Sequence, residues 1–261
     1  MDWTEGALDA VSNVPFYVRK RVKKRVEREA REAGAAVVDK EHVVSCRLKF
    51  LKRMENEVKG YQVETCFGPG GCPNRVLETE DLCRVIEDRM ARRDLKAFLK
   101  GRVKGPLKLH HEFRVSISEC PNGCSRPQIA DIGLLGALAP EVSEVPCTGC
   151  GECTAICKEK AISLEGTLPR IDQVRCLSCG QCVNACPTGT LKASAEGFRF
   201  QVGGKLGRHP RLATELSSIL SVEETLERID ACLDLYQANG RNGERFGEIL
   251  ERTGVGMLEP S

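Results

Sequence analysis

The stretch Cys147-Thr148-Gly149-Cys150-Gly151-Glu152-Cys153-Thr154-Ala155-Ile156-Cys157 is answered 29 residues later by Cys176-Leu177-Ser178-Cys179-Gly180-Gln181-Cys182-Val183-Asn184-Ala185-Cys186-Pro187. Both space their cysteines x2, x2 and x3, so they form an internal repeat. Three cysteines two residues apart let one tight loop wrap three corners of an iron–sulfur cube. The fourth is carried off by the next turn to ligate the other cube. The spacing therefore predicts Cys147, Cys150, Cys153 and Cys186 around one 4Fe–4S centre, and Cys176, Cys179, Cys182 and Cys157 around a second. Gly149, Gly151 and Gly180 let the backbone approach the cubes and aim N–H groups at their sulfurs. Zinc also uses cysteines two apart, but a zinc site needs four ligands and does not demand this doubled run.

Residues 141–187 resemble the bacterial two-cluster ferredoxins, and the motif is highly specific. One position departs from the pattern: Lys158 stands where the second run has Pro187. The change alters the turn and places a charge that can shift the local potential.

The rest of the composition agrees with metal rather than disulfides. Fifteen cysteines in 261 residues is an odd and unusually high count for a chain of this length. Asp2 and Glu5 precede no apolar run of the secretory kind, so the expected setting is cytoplasmic, where thiols stay reduced and free to bind metal. No run approaches the ~18 apolar residues of a membrane span. The 39 basic and 37 acidic residues nearly cancel, which argues against a polyelectrolyte role on DNA. Aromatic residues at 5% leave few rings for stacking on bases.

Four further cysteines make a different pattern, Cys66-x5-Cys72 and Cys120-x3-Cys124, with the local string Cys120-Pro121-Asn122-Gly123-Cys124 followed by Arg126-Pro127-Gln128. Here the sequence resembles the iron–sulfur and sirohaem domain of the nitrite and sulfite reductase family. The segment from Gly203 through Lys205, Arg208 and His209 to Arg211 resembles that family's return strand and loop. The resemblance implies that Cys66, Cys72, Cys120 and Cys124 hold a third 4Fe–4S cluster, with Cys124 also bridging to the iron of sirohaem. It covers residues 61–261. Sirohaem is rich in carboxylates and its substrates are oxyanions, so both need cations. Arg114, Arg126, Lys205, Arg208 and Arg211 are the candidates, with His110, His111 and His209 as candidate proton donors.

Residues 1–60 read as a helical module. Pro15 suits a helix start, Val18, Val22, Val26, Ala30 and Ala33 form a stripe, and Gly34 suits the stop. Asp39 can cap a second helix that buries Val43, Val44, Leu48, Leu51 and Val58. Residues 3 to about 50 resemble the small helical domain at the C-terminus of a light-independent protochlorophyllide reductase subunit, through Trp3, Ala7, Pro15, Phe16, Val18, Arg19, Glu27, Ala30, Arg31 and Gly34. The basic run from Arg19 to Arg31 could also serve a DNA-binding or docking helix. Further on, one helix is expected over 79–100, strands at Phe113–Ile117 and Phe198–Val202, and a helix capped by the Ser221–Glu224 pair. A last short helix holds Phe246, Ile249 and Leu250. Cys46, Cys83 and Cys232 fall outside every motif and are assigned to packing.

The expected architecture is α+β: a helical module (1–60), a sulfite-reductase-like domain in two parts (61–140 and 188–261), and an inserted two-cluster ferredoxin (141–187). The resemblance implies three 4Fe–4S clusters and sirohaem, reducing sulfite or a similar small oxyanion. The competing expectation is an electron-transfer subunit with three clusters and no sirohaem, serving a larger redox complex. A redox partner protein and homo- or hetero-oligomerisation are expected in either case.

Overall fold

The computed structural model describes residues 1–258. Contacts divide the chain into two units, Met1–Val58 with Gly105–His110, and Lys59–Lys104 with everything from His111 onward.

In the first unit β1 (Asp2–Trp3) runs parallel to β2 (Val37–Val38). The Thr4 hydroxyl accepts the Ala7 N–H at 3.3 Å and starts α1 (Glu5–Ser12). Pro15 precedes α2 (Phe16–Glu32), as expected of a residue without an N–H to satisfy. A capping box between Asp39 and His42 starts α3 (Lys40–Glu57). Ala7, Val11, Val26, Ala30, Val38, Val43 and Cys46 form the core. The expected stripes are only partly buried: Ala33 is exposed, and so are Val44 at 45% and Leu48 at 61%. α3 buries the narrow line through Val43 and Cys46, so the apolar line beside it faces away.

In the second unit the sheet has the order β3-β4-β5-β8-β9, built from β3 (Tyr61–Thr65), β4 (Phe113–Ser118), β5 (Ile132–Val142), β8 (Leu191–Val202) and β9 (Thr214–Leu220). The first three strands are parallel, and β8 and β9 are antiparallel to their neighbours. The helix expected over 79–100 is two, α4 (Glu80–Ala91) and α5 (Leu95–Lys100). Between them Asp94 turns left-handed (φ 43°) and accepts the Ala97 N–H, so a capping side chain breaks the helix without glycine or proline.

On one face of β4, Phe113 meets Tyr236 and Phe246 at centroid distances of 4.9 and 5.4 Å. These rings come from α8 (Val222–Asn239), capped by Ser221 and Glu224 as expected, and α9 (Phe246–Thr253). Ile229, Cys232, Leu233, Ile249 and Leu250 are buried with them. Strand alternation puts Ser116 and Ser118 on the other face, where they too are buried.

The neighbours β5 and β8 are joined by a long connection, residues 143–190, whose base is closed by the Ser143 N–H on the Thr190 carbonyl at 2.7 Å. It holds the hairpin β6 (Ile162–Glu165) and β7 (Leu168–Ile171) and two short helices, α6 (Glu152–Ile156) and α7 (Gln181–Asn184). Both four-cysteine runs lie there. Among the described residues no helix is long and apolar enough to cross a membrane.

Candidate metal centres

The repeat seen in the cysteines is a repeat of backbone shape. Left-handed residues recur at the 29-residue offset: Gly149 (71°) and Ser178 (56°), Gly151 (79°) and Gly180 (69°), Lys160 (51°) and Gly189 (73°). α6 and α7 each start directly after the second member of this set. Cys153, Ile162, Cys182 and Leu191, again pairwise equivalent, form one buried cluster beneath the loops.

Cys147, Cys150 and Cys153 line one cavity together with Cys186 from the other run, against Leu164, Pro169 and Leu191. Cys176, Cys179 and Cys182 line a second cavity with Cys157. In each cavity the cysteine that follows the x3 gap comes from the other run. The sulfurs stand around spaces and not at points: among the described residues no three His, Cys, Asp or Glu side chains converge closely enough for a single metal ion. Backbone N–H groups point at the sulfurs, Gly149 to Cys147 and Ser178 to Cys176 at 3.4 Å, Ala161 to Cys157 at 3.3 Å and Leu191 to Cys186 at 3.4 Å. Such N–H···S contacts favour thiolate and tune a bound cluster.

The third set is gathered by the parallel strands. Cys66 follows β3 and its N–H donates to the Ile117 carbonyl at 3.0 Å; Cys120 and Cys124 follow β4. The Cys66 sulfur accepts N–H groups from Gly68 and Glu119 at 3.3 and 3.4 Å, and the Asn122 amide donates to Cys124 at 3.0 Å. The segment 119–130 lies flat on the sheet because β5 offers glycine beneath it. A Cβ on Gly133 or Gly136 would stand 2.4 Å from the carbonyl oxygen of Pro127 or Glu119. Ser125 ties the loop to the polar side of β4, its hydroxyl 2.7 Å from Ser118 Oγ and its carbonyl accepting from the Ser116 hydroxyl at 2.7 Å.

Crowded thiols resist losing their protons together. Burial, then the charges of Cys179 and Cys176, pushes Cys182 up to about 11. Burial raises Cys153 as well, with Cys147 and Cys150 adding to it. Burial raises Cys120 against the Asn122 N–H, and Cys124, Cys66 and Cys72 act in the same direction as burial. Cys186 goes the other way: burial opposes the charge, but N–H groups led by Leu191 and the Thr188 hydroxyl bring it down to about 7. The donor sets fit a cationic iron–sulfur core, which binds as the thiols release protons.

Residues 59–258 match the family described as the nitrite and sulphite reductase 4Fe-4S domain. The chain belongs to that family. It is an iron–sulfur protein of the sulfite-reductase-like kind. Residues 3–47 separately match the proto-chlorophyllide reductase 57 kD subunit. A coenzyme F420-dependent sulfite reductase of Methanocaldococcus jannaschii is 37% identical over 195 residues, 74% of this chain and 29% of the relative. One of the subunits of the anaerobic sulfite reductase of Salmonella typhimurium is 26% identical, over 49% of this chain and 38% of its own length. The chain therefore spans well under half the length of these two relatives. The crystal structure of dissimilatory sulfite reductase I overlays 75% of this chain and 50% of its own, at 20% identity and a TM-score of 0.49.

The cations expected at a family cofactor fall into two groups. Arg114 pairs with Glu64 at 2.8 Å, Lys205 with Glu248 at 2.7 Å, and Arg211 with Glu251 at 3.3 Å and with the Gly203 carbonyl. Arg126 and Arg208 are exposed and take no ion pair among the described residues. Arg126, left-handed at 62°, follows the exposed Cys124 by two residues. Arg208 lies in the loop closed by the Lys205–Arg211 bridge, and Gly204 at its base packs on the backbone of Gln128 and Ala130. His209 is exposed in the same loop. Sequence reasoning missed Ser178 in the left-handed position, the Asn122–Cys124 contact, and the Gln181–Asn74 hydrogen bond that joins two cysteine loops. A residue in a glycine's place at the repeat offset signals Ser178, opposite Gly149, and equally Lys160, opposite Gly189.

Proposed function

We propose that this chain is the electron-wiring and cofactor-docking part of a sulfite-reductase-type oxidoreductase. Cys147, Cys150, Cys153 and Cys186 hold one 4Fe–4S cluster, Cys157, Cys176, Cys179 and Cys182 a second, and Cys66, Cys72, Cys120 and Cys124 a third. The observation that carries the proposal is a single cavity. The space lined by Cys157, Cys176, Cys179 and Cys182 also reaches Cys120, Asn122 and Asn74 of the third set. Electrons entering at the paired centres therefore have a short route to a cube under Cys124.

Sirohaem, when bound, supplies the iron that takes the substrate sulfur and carries the bond chemistry. The exposed Cys124 sulfur and the free Arg126 and Arg208 suit one edge of such a macrocycle and an oxyanion such as sulfite. Arg114, Lys205 and Arg211 hold the surrounding backbone through their carboxylate partners, and His209 is the proton donor nearest in sequence to these cations. The names of the two relatives, a sulfite reductase and a sulfite reductase subunit, support sulfite as substrate and a partner subunit.

Anaerobic purification with a visible spectrum and metal analysis tests this. Roughly thirteen iron (twelve in the clusters and one in sirohaem) and twelve sulfide per chain, with a chlorin-like band extractable as sirohaem, is the expected result. Broad cluster absorption alone would make the chain an electron-transfer subunit without the macrocycle, an outcome that the internal pairing of Arg114, Lys205 and Arg211 would explain.

A further inference from the structure

The two four-cysteine runs superimpose in spacing and in left-handed positions, so the places where they differ stand out. After Cys186 the chain has Pro187, which carries no charge; after Cys157 it has Lys158. Lys158 lines the same cavity as Cys157, Cys176, Cys179 and Cys182. It is exposed and has no ion pair among the described residues, so its ammonium is free to settle where the field directs it. Glu159 lines that cavity too and is likewise exposed.

We propose that Lys158 sets the reduction potential of the Cys157/Cys176/Cys179/Cys182 centre above that of its twin, so that electrons collect next to the third set. The proposal rests on the three-cluster function stated above. Four thiolates make such a centre anionic, and the added electron makes it more so. A mobile ammonium is drawn toward it and a mobile carboxylate turned away. Cation proximity favours the reduced form, and net charge is one of the levers that set a cluster's potential. The step is a one-electron transfer in which no bond changes: the Cys147/Cys150/Cys153/Cys186 cube is oxidised and the Cys157 cube is reduced. The first cavity has no cation among its lining residues; its only charged one is Glu152. The Cys157 cavity is also the one that touches Cys120 and Asn122, so the charge sits at the exit of the pair.

The test is an EPR-monitored potentiometric titration of the full chain, reconstituted anaerobically, as wild type and as Lys158→Gln, Lys158→Arg and Glu159→Gln. Lys158→Gln is expected to lower one cluster potential by about 59 mV, a tenfold change in its one-electron equilibrium, and leave the others in place. Lys158→Arg should retain the wild-type value, Glu159→Gln should move it little, and the wild-type to Gln difference should shrink as salt is raised. Potentials that do not move in Lys158→Gln, or that move equally in Lys158→Arg, would overturn the assignment while leaving the three clusters intact. A wild-type protein that assembles no clusters would overturn the functional proposal and this one with it.

Discussion

The Asp131 carboxylate, almost wholly buried at the start of β5, meets the Arg245 guanidinium at 2.5 Å. The same carboxylate accepts the Arg114 N–H at 2.9 Å, and the Asp131 carbonyl accepts from Gly203 at 2.8 Å. One residue thus links β4, the end of β8 and the turn before α9. For Arg245, burial works against the charge and Asp131 outweighs it, holding the guanidinium above its ordinary range.

Breaking that pair from one side strands a buried charge. Arg245→Met is expected to cost about 3–5 kcal/mol in chemical denaturation, and Asp131→Asn a comparable amount. The double variant should recover much of the loss, because neither charge is then left alone. Additive losses in that cycle would show that the pair is not the cause.

Gly136→Ala tests the platform under the third set. The new methyl meets the Glu119 carbonyl oxygen at 2.4 Å, a backbone atom that cannot swing aside. Overpacking should cost about 1–3 kcal/mol and displace the loop bearing Cys120. Reconstituted protein should lose about a third of its iron and keep the EPR signals of the paired centres. Full iron content would mean that the loop does not depend on this close approach.

The proposed exchange of fourth cysteines predicts a crossed outcome. Cys186→Ala should impair the centre of Cys147, Cys150 and Cys153, and Cys157→Ala the centre of Cys176, Cys179 and Cys182, as read by EPR of each variant. Each variant impairing the centre of its own run would contradict the two cavities.

Much of this is legible in the sequence because the chemistry of the repeat leaves little freedom. Cysteine spacing alone implies the exchange of Cys157 and Cys186, and the Ser221–Glu224 pair announces its helix. Other features depend on neighbours distant in sequence. Val44 and Leu48 look buried by periodicity, yet α3 packs along Val43 and Cys46 instead. Asp94 ends a helical run by adopting a left-handed backbone that ordinarily suits glycine or asparagine. Gly105–His110 joins the first unit from far along the chain, a contact no local pattern reveals. Arg114, Lys205 and Arg211 look like free cations until the fold brings their carboxylates close.

Acid sensitivity should register at Glu248. Burial raises its pKa, but the Lys205 ammonium and the Arg245 N–H outweigh it and hold the carboxyl below its ordinary value. With the folded value depressed, the stabilisation is complete above the ordinary carboxylate range and is lost as pH falls through the lowered value. Glu248→Gln should therefore narrow the stability gap between neutral and acidic pH in denaturation series. An unchanged pH profile would show that the Lys205 contact does not couple to folding.

Iron, acid-labile sulfide and zinc, counted per chain after strictly anaerobic isolation with full cluster assembly, decide whether the twelve cysteines hold three cubes. About twelve cluster iron beside that of sirohaem, about twelve sulfide and no zinc are expected, with iron and sulfide lost in steps of about four when one cysteine of any set is replaced. A colourless protein, or one carrying zinc in place of iron, would contradict the assignment of all three centres.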